Sequence, residues 1–375
     1  MTRSFEILSL QPFFGGSHRQ FDEGWRRHSR HQWTAVTLPD RHWKWRMRHS
    51  PIESAKQIAE LKQAGQRWDA VVCTDMLDLA TLKGLYPDLP PVVLYFHENQ
   101  FEYPNRHSKR SDLHFPFTNL TSALCADEVW FNSEFNLTSM LDGITSTLKL
   151  LPDYPPIDSV DAIREKSLVQ SPGIDVSENA DSARASTTAG SDPMKIVWAA
   201  RWEHDKGPEW LLEVLNVLKA QPVEFSISIV GQQYSKQPEA FGQIQQLHSD
   251  QIEHWGFVSR AVYDQILIEA DVFLSTANHE FFGLSFVEAV ARGCCPVVPN
   301  GMAYPGLMRP VDGSEALLYE TPQQAADIIE SIWRRPEDSR AIARQLTTHF
   351  SETYAWPIRA GQMDHRLAEL TKRLK

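Results

Sequence analysis

Short apolar runs recur along the chain, each bounded by turn residues and separated from the next by a segment long enough for a helix. They predict strands at residues 5–14, 33–38, 68–73, 92–96, 128–131 and 147–151, and again at 195–200, 225–230, 252–257, 272–275, 295–298 and 316–319. Near-continuous β-branched and aromatic runs are typical of strands that are buried on both faces of a parallel sheet. The pattern therefore predicts an α/β protein with two doubly wound, Rossmann-like domains.

A stretch of different composition separates the two halves. Residues 171–193 are small and polar, with almost no large apolar side chain after Val176. Such a segment cannot bury enough apolar surface to offset its ordering entropy. We therefore predict an N-terminal domain at 1–170, a flexible linker at 171–193 and a C-terminal domain at 194–349. The helical periodicity near the end predicts a tail, at about 350–375, that can cross back onto the first domain.

The charge of the chain is unevenly distributed. Its 375 residues include 37 Lys and Arg against 48 Asp and Glu, and the net charge of −11 argues against a uniformly basic coat for nucleic acid. Residues 1–110, however, hold 16 basic and 12 acidic residues and 7 of the 14 histidines. The N-terminal region is thus mildly basic and rich in histidine, and the excess acid lies in the rest of the chain.

The cysteines and the N-terminus indicate the compartment. The 4 cysteines have no C-x-x-C spacing, so they predict neither a disulfide framework nor a zinc ribbon. The first residues reach Glu6 too soon to supply the apolar stretch of a signal peptide. No run approaches the roughly 20 apolar residues of a membrane span. We therefore expect a cytoplasmic protein with no membrane partner.

Two glutamates in the second half, Glu280 and Glu288, stand with seven residues between them, between a predicted strand and a predicted helix. If that helix begins near Gly283, its first N–H groups point toward a bound diphosphate. Glu288 is then placed to accept two hydrogen bonds from a ribose diol, while Glu280 faces the group attached to the diphosphate. The alternative is a pair of solvated glutamates beside an ordinary helix.

Two cations follow the first strand of the second half. Arg201 and Lys206 lie at the predicted carboxyl end of that strand, where open α/β sheets bind ligands. Two positive charges there can stabilise the charge that grows on a departing diphosphate, as a magnesium ion does elsewhere. The alternative is a surface salt bridge with Glu203 or Asp205.

The next two strands end at the same predicted edge of the sheet. Gly231 follows one of them, and Phe257 and Val258 follow the other. These positions could receive a nucleobase through backbone groups and an apolar side chain. The alternative at each of these positions, taken alone, is an ordinary turn.

The first half offers two further candidates at strand ends. Gly15 and Gly16 follow the first strand and present bare backbone N–H groups, although the sequence is not G-x-G-x-x-G and a plain turn explains it as well. His97 follows the strand at 92–96, where an imidazole can bind a sugar hydroxyl or pass a proton, or simply be a structural histidine. Neither His-Glu pair of the chain continues as H-E-x-x-H, so no metal site is predicted.

Aromatic and basic side chains alternate after the second predicted strand. Tryptophan faces can stack on bases, and cations can neutralise phosphates, so this stretch is a candidate contact for nucleic acid. The alternative is a loop whose Trp rings pack on the domain while its charges stay solvated. The residues concerned are Arg41, Trp43, Lys44, Trp45, Arg46 and Arg48.

Together these motifs resemble the retaining GT-B glycosyltransferases of family four. More narrowly, the strings FFGGSH, TLPDRHWKWRMR, YFHENQFEYP, ADEVWFNSEFN, RWEHDKGPE and HEFFG resemble the tRNA-queuosine α-mannosyltransferases. The resemblance covers nearly the whole chain. It implies a GT-B fold whose two domains face a cleft, GDP-mannose as donor, queuosine in tRNA (aspartate tRNA) as acceptor, and retention at the anomeric carbon. It implies no metal, no other cofactor and no protein partner.

The resemblance also implies roles for the candidate residues. Arg201 and Lys206 would hold the diphosphate, Glu288 the ribose, and Glu280 the sugar, together with the backbone of Phe282, Gly283 and Leu284. Gly16 and His97 would complete the site from the other domain. The leaving diphosphate would assist the incoming hydroxyl, so Glu280 is not assigned as a nucleophile. The alternatives are a family-four transferase with a small-molecule, lipid or polysaccharide acceptor, a GT-B nucleotide-sugar epimerase, and an inactive RNA-binding protein.

Overall fold

The computed structural model describes residues 4–102, 113–176, 193–234 and 236–374. The chain divides into two compact units, one of Met1–Gly173 with Trp356–Lys375 and the other of Ile174–Ala355. Most of the predicted flexible linker, at 177–192, lies outside the described residues. Among the helices that are described, none is long and apolar enough to cross a membrane.

The first unit is built on a six-stranded parallel sheet in the order β2-β1-β3-β4-β5-β6. Its strands are β1 (Glu6–Phe14), β2 (Gln32–Pro39), β3 (Ala70–Thr74), β4 (Val92–Phe96), β5 (Glu128–Phe131) and β6 (Ser167–Val169). Its helices are α1 (Gly16–His28), α2 (Trp43–Gln63), α3 (Leu79–Leu85), α4 (His114–Cys125), α5 (Glu134–Leu148) and α6 (Ser159–Arg164). Every residue of β3 and β4 is buried, because helices cover both faces of the sheet.

The second unit repeats this plan, with its sheet in the order β12-β11-β10-β7-β8-β9. Its strands are β7 (Met194–Ala199), β8 (Phe225–Val230), β9 (Ile252–Gly256), β10 (Val272–Leu274), β11 (Cys295–Pro299) and β12 (Leu318–Tyr319). Its helices are α7 (Pro208–Ala220), α8 (Glu239–Leu247), α9 (Arg260–Glu269), α10 (Leu284–Ala291), α11 (Tyr304–Met308), α12 (Pro322–Arg334) and α13 (Pro336–Tyr354). The two parallel sheets confirm the predicted α/β class.

The last helix, α14 (Trp356–Arg373), belongs to the first unit. Its Trp356 and Met363 lie in one apolar cluster with Phe21 and Trp25 of α1. The indole of Trp25 also donates a hydrogen bond to Asp364 over 2.8 Å. This helix therefore covers one face of the first sheet.

One predicted strand is wrong, and one strand was missed. The run at 147–151 is the end of α5 and the turn after it, because α5 continues to Leu148. The sixth strand of the first sheet is instead β6, which has 3 residues and none of them fully buried. A short apolar run does not distinguish a strand from the last turn of a helix, and a short, half-exposed edge strand has little apolar pattern.

Candidate active site

The loop after β7 carries the cations predicted to hold a diphosphate. Arg201 follows the strand, and Lys206 ends a short 3-10 helix at His204–Lys206. The Thr276 hydroxyl, just after β10, donates to the Lys206 carbonyl oxygen over 3.0 Å and accepts from the Trp198 indole over 2.9 Å. Because β7 and β10 are neighbours in the sheet, the carboxyl ends of two parallel strands fix the position of Lys206.

Gly207 makes this close approach possible. Its φ is +63°, in the left-handed region, and it is the N-cap of α7. A Cβ atom here would lie 1.9 Å from the Thr276 carbonyl oxygen. A side chain is therefore excluded both by the backbone conformation and by the neighbouring chain. The glycine allows the loop after β7 to lie directly against the loop after β10.

The Lys206 ammonium is buried among acidic and carbonyl oxygens. Its Nζ lies 3.1 Å from Glu280 Oε2 and 3.3 Å from Asp205 Oδ2, and it donates to the His279 carbonyl oxygen over 3.0 Å. Burial alone would lower the pKa of Lys206, but the Glu280 and Asp205 carboxylates outweigh burial and raise that pKa. Lys206 is therefore a charged and oriented donor at neutral pH.

Arg201 has a different environment from Lys206. Its Nη1 lies 3.0 Å from Glu203 Oε2, and both side chains are exposed. Both salt bridges that the sequence left as alternatives are thus present, but the pair of Lys206 with Asp205 is buried. The charge of Arg201 also acts to lower the pKa of Lys206, so the two cations belong to one charged region.

The two glutamates have different partners. Glu280 is half-buried beside Lys206, whereas Glu288 is buried on α10 with its Oε1 2.8 Å from Arg260 Nη1. Gly283, with φ +81°, is the N-cap of α10, so the helix begins where the sequence predicts. The first N–H groups of a helix have no intrahelical acceptor, and this turn is therefore suited to bind an anion. Phe282 is buried and Leu284 half-buried at the same turn.

His279 is buried beside Glu280, with 4.5 Å between the centroids of its ring and the Phe281 ring. Burial, and then the charge of Lys206, lower the pKa of His279 from 6.5 to about 4. As the pH falls through this range the unfolded chain binds a proton that the folded chain does not, so the stability of the fold falls. We expect this effect to remove up to about 3 kcal/mol from the free energy of unfolding near pH 4.

The measurement is urea unfolding of the wild type and the His279→Asn variant at about pH 7 and about pH 4.5. The variant should lose less stability on acidification than the wild type. The matched control is His204→Asn, because the His204 side chain is 53% exposed. If the wild type and His279→Asn lose the same free energy of unfolding on acidification, the lowered pKa of His279 does not cause the loss.

The residues predicted to receive a nucleobase lie at the ends of β8 and β9. The Gly231 N–H donates to the Gly256 carbonyl oxygen over 3.1 Å, so the protein itself uses this donor. The Phe257 side chain is 77% exposed, and Val258 is half-buried. An exposed aromatic face beside the carboxyl ends of two strands is suited to pack on a planar ligand.

In the first unit, Gly15 and Gly16 form the turn between β1 and α1. Gly15 is the N-cap of the helix, and Gly16 has a φ of +51°. A Cβ atom on Gly15 would lie 1.9 Å from Asp40 Oδ2, so this turn packs directly against the loop after β2. The Gly15-Gly16 turn is therefore in contact with the segment that precedes the basic and aromatic stretch, although the two are separate in the sequence.

His97 is buried after β4, with 4.0 Å between its ring centroid and that of His18. The backbone N–H of His97 donates to Asp75 Oδ1 over 3.0 Å, and the backbone carbonyl oxygen of His97 accepts from Asn132 Nδ2 over 2.7 Å. Burial, and then His18, lower the pKa of His97 well below 6.5, so the ring is neutral. Among the described residues its Nε2 is buried and has no hydrogen-bond partner.

The basic and aromatic stretch after β2 begins a helix instead of forming a loop. Trp43 is the first residue of α2 and lies 5.0 Å, between ring centroids, from Phe115 of α4. Lys44 Nζ lies 5.5 Å from both ring centroids, and the Arg48 guanidinium lies 5.3 Å from the Phe115 centroid. The Trp45 side chain is 58% exposed. These residues form one cation-aromatic surface, which we call the α2 surface.

The charges of the α2 surface oppose the helix dipole. The first turn of α2 holds Lys44 and Arg46 and no acidic residue. Cations at a helix N-terminus are unfavourable because the helix dipole places positive charge there, and a bound anion relieves the repulsion. Arg46 is half-buried and donates to the Pro39 carbonyl oxygen over 3.0 Å, whereas Arg41 is exposed.

Three residues that the sequence did not predict lie next to Glu288 and His97. Arg260 of α9 donates to Glu288, the charge of Glu288 acts on the buried Tyr263 of the same helix, and Asp75 is buried directly after β3 against the His97 backbone. Burial, and then Glu98, raise the pKa of Asp75 well above its ordinary value. Arg260 and Asp75 each stand near the carboxyl end of a parallel strand, so applying the strand-end rule to every strand would have found them.

Across the ranges that the structure describes, no group of three or more His, Cys, Asp or Glu side chains could hold a metal ion. The independence of the reaction from metal stays a prediction.

Known families match both halves of the chain. The model described as tRNA-queuosine alpha-mannosyltransferase N-terminal matches residues 6–174, and the model described as glycosyl transferases group 1 matches residues 179–347. The tRNA-queuosine alpha-mannosyltransferase of Drosophila melanogaster is 32% identical over 353 residues, which cover 92% of this chain and 91% of the relative.

Solved structures are similar in fold. Anabaena HepE in complex with UDP-glucose has a TM-score of 0.71 at 17% identity and covers 97% of this chain and 100% of its own. Sucrose-phosphate synthase from Thermosynechococcus elongatus has a TM-score of 0.69 at 13% identity and covers 99% of this chain and 100% of its own. These structures confirm the predicted GT-B fold. The chain belongs to the tRNA-queuosine alpha-mannosyltransferase family and is a hexosyltransferase.

Proposed function

We propose that this protein transfers mannose from GDP-mannose to the queuosine base of aspartate tRNA, with retention of the anomeric configuration. The family match and the name of the Drosophila relative support the sugar and the acceptor. The observation that carries the chemistry is the buried pair of Lys206 and Glu280, 3.1 Å apart beside the loop that leads into α10. A buried ammonium held this way is suited to a substrate that becomes more negative as it reacts.

On the donor side, Lys206 and Arg201 bind the diphosphate, and the first N–H groups of α10, after Gly283, donate to its oxygens. Negative charge grows on the diphosphate as its bond to mannose breaks. Since carboxylates already orient Lys206, this charge is stabilised without reorganisation of the site. Lys206 and Arg201 supply the positive charge that a divalent metal ion supplies elsewhere, so we propose no metal and no cofactor besides the donor substrate.

GDP leaves the anomeric carbon of mannose, and the acceptor hydroxyl replaces it on the same face of the sugar ring. The bond from the anomeric carbon to the phosphate oxygen breaks, and the acceptor hydroxyl oxygen bonds to that carbon. The hydroxyl proton passes to the departing phosphate oxygen. Glu280 binds sugar hydroxyls instead of attacking the carbon, because its pairing with Lys206 weakens it as a nucleophile. The backbone of Phe282 and Leu284 contributes to the same subsite.

The nucleoside of the donor binds along the carboxyl ends of β8 and β9 and on α10. Glu288 accepts hydrogen bonds from the ribose diol, and the exposed Phe257 ring packs on guanine. Val258 and the backbone of Gly231 complete this subsite. The sugar that the donor carries then lies toward Glu280.

The first unit supplies the acceptor side. His97, being neutral and without a protein partner on Nε2 among the described residues, bonds a hydroxyl, and Gly16 offers backbone near it. The α2 surface binds tRNA: Arg41, Lys44 and Arg48 contact phosphates and Trp45 stacks on a base. Two residues support this surface. Trp43 packs on Phe115, and Arg46 donates to the Pro39 carbonyl oxygen.

The proposed compartment follows from the tRNA acceptor. We place the reaction in the cytosol, where the 4 cysteines stay reduced. The proposal needs no membrane and no protein partner.

The test of the donor and of the stereochemistry is transfer by purified protein to queuosine-containing tRNA from GDP-mannose, GDP-glucose and UDP-glucose in parallel. We expect GDP-mannose to be used in strong preference, and an α-mannosidase to remove the added sugar. Use of UDP-glucose in preference to GDP-mannose would contradict the proposed donor. A product that resists α-mannosidase and yields to β-mannosidase would contradict retention.

A further inference from the structure

A closed network of acidic and basic side chains holds Glu288. The proposed reaction assigns no role to the other members of this network. Arg260, whose Nη1 lies 2.8 Å from Glu288 Oε1, is bound twice by Asp264, from Nε to Oδ2 over 3.0 Å and from Nη2 to Oδ1 over 3.0 Å. The buried Arg292 reaches Asp264 Oδ1 over 2.8 Å and donates to the Glu288 carbonyl oxygen over 3.0 Å. The network thus begins at the carboxylate of Glu288 and returns to its backbone.

Tyr263, three residues after Arg260 on α9, lies under the influence of the same carboxylate. The Arg260 guanidinium lies 5.3 Å from the Tyr263 ring centroid. Burial, and then the charge of Glu288, raise the pKa of Tyr263 well above its ordinary value, so the phenol keeps its proton. Arg260 donates to the Glu288 carboxylate, and Tyr263 keeps a protonated phenol beside Arg260.

Burial explains why a cation is needed here. The Glu288 side chain is 4% exposed, whereas that of Arg260 is 46% exposed. A carboxylate removed from water is costly unless it is paired, and the contact with Arg260 offsets that cost. Asp264 in turn fixes the guanidinium, because two parallel contacts determine its plane as well as its position. The result is a carboxylate held in one orientation.

We propose that Arg260 and Tyr263 are positioning residues, which hold the Glu288 carboxylate so that it binds both hydroxyls of the donor ribose. A carboxylate can take about four hydrogen bonds, so its contact with Arg260 is compatible with a bound diol. The site then distinguishes a ribonucleotide from its 2′-deoxy form. This inference rests on the proposed function, which assigns the ribose to Glu288.

The experiment compares the binding of GDP and 2′-deoxy-GDP to the full chain by calorimetry. We expect the wild type to bind GDP about 10–100 times more tightly than 2′-deoxy-GDP, the strength of a hydrogen bond to a charged group. Arg260→Ala should weaken GDP binding about tenfold or more and reduce the preference to within about threefold. It should also raise the KM for the donor about tenfold, with kcat within about threefold of the wild type.

Two further variants separate positioning from a general loss of structure. Tyr263→Phe removes only the phenol hydroxyl and should reduce the preference by a smaller factor. Arg260→Lys should restore part of it, since lysine keeps the charge but not the two parallel contacts with Asp264. Arg334→Ala is the matched control and should keep the wild-type preference, because Arg334 forms a surface pair with Glu330 and is 56% exposed.

Two outcomes would overturn the proposal in different ways. If Arg260→Ala and Tyr263→Phe weaken GDP binding but keep the wild-type preference for GDP over 2′-deoxy-GDP, their effect is structural and the positioning role is wrong. If the wild type binds GDP and 2′-deoxy-GDP equally while still binding GDP better than UDP, the proposed donor stands, but the ribose is not bound by Glu288 and the positioning role is wrong.

Discussion

Replacing Lys206 with alanine is expected to lower kcat/KM for mannosyl transfer by about 10²–10³-fold or more, because the growing charge on the diphosphate loses its buried donor. The same change leaves the half-buried Glu280 and the side chain of Asp205 without their cation, so it should also lower stability. Steady-state transfer and urea unfolding measure the two effects separately.

Two variants show which effect dominates. Lys206→Met combined with Glu280→Gln removes the charged pair together and leaves only Asp205 without its cation, so it should recover part of the stability but not the activity. Lys195→Ala is the matched control, since Lys195 lies on β7 and forms an exposed ion pair with Glu269 over 2.9 Å. Nearly normal transfer by Lys206→Ala, with Lys195→Ala also normal, would remove Lys206 from the chemistry.

Charge reversal on the α2 surface has the second-largest expected effect. The double change Lys44→Glu and Arg48→Glu should raise the KM for tRNA by about 10–100-fold and reduce the salt slope of tRNA binding by about two. Binding of GDP should not change, because the donor residues belong to the other unit. The measurement is tRNA binding at several salt concentrations, together with GDP binding by calorimetry.

The control for this prediction lies on the same helix. Lys56→Glu with Lys62→Glu makes the same change in charge on later turns of α2, where Lys56 and Lys62 pair with Glu60 and Asp88. If the α2 surface is the contact, only the first pair of changes weakens tRNA binding strongly. Equal weakening by both pairs would indicate a general effect of charge and would contradict the assigned surface.

Much of the fold could be predicted because buried parallel strands have nearly continuous apolar sequences. The strands β4, β5 and β8 begin and end where the sequence predicts. The strand β6 could not be found this way, since its 3 residues are only partly buried. The helical start of α2 was missed as well, because its mixed aromatic and basic residues have no clear apolar period.

The candidate site could be predicted as a set of residue types but not as a set of contacts. Glu280 and Lys206 were singled out for separate roles, and the structure shows that they pair with each other. Arg260 and Glu288 lie 28 residues apart on different helices, so their contact depends on the packing of α9 against α10. No local pattern encodes such a contact, because it arises only when the sheet brings the two helices together.

The central claim is the transfer of mannose to queuosine in tRNA, and nucleoside mass spectrometry tests it most directly. Purified protein is incubated with GDP-mannose and aspartate tRNA that either contains queuosine or lacks that modification, and the tRNA is then digested to nucleosides. The account predicts that queuosine gains the mass of one hexose and that the unmodified tRNA gains none. An unchanged queuosine mass, while the same enzyme glycosylates another acceptor, would contradict it.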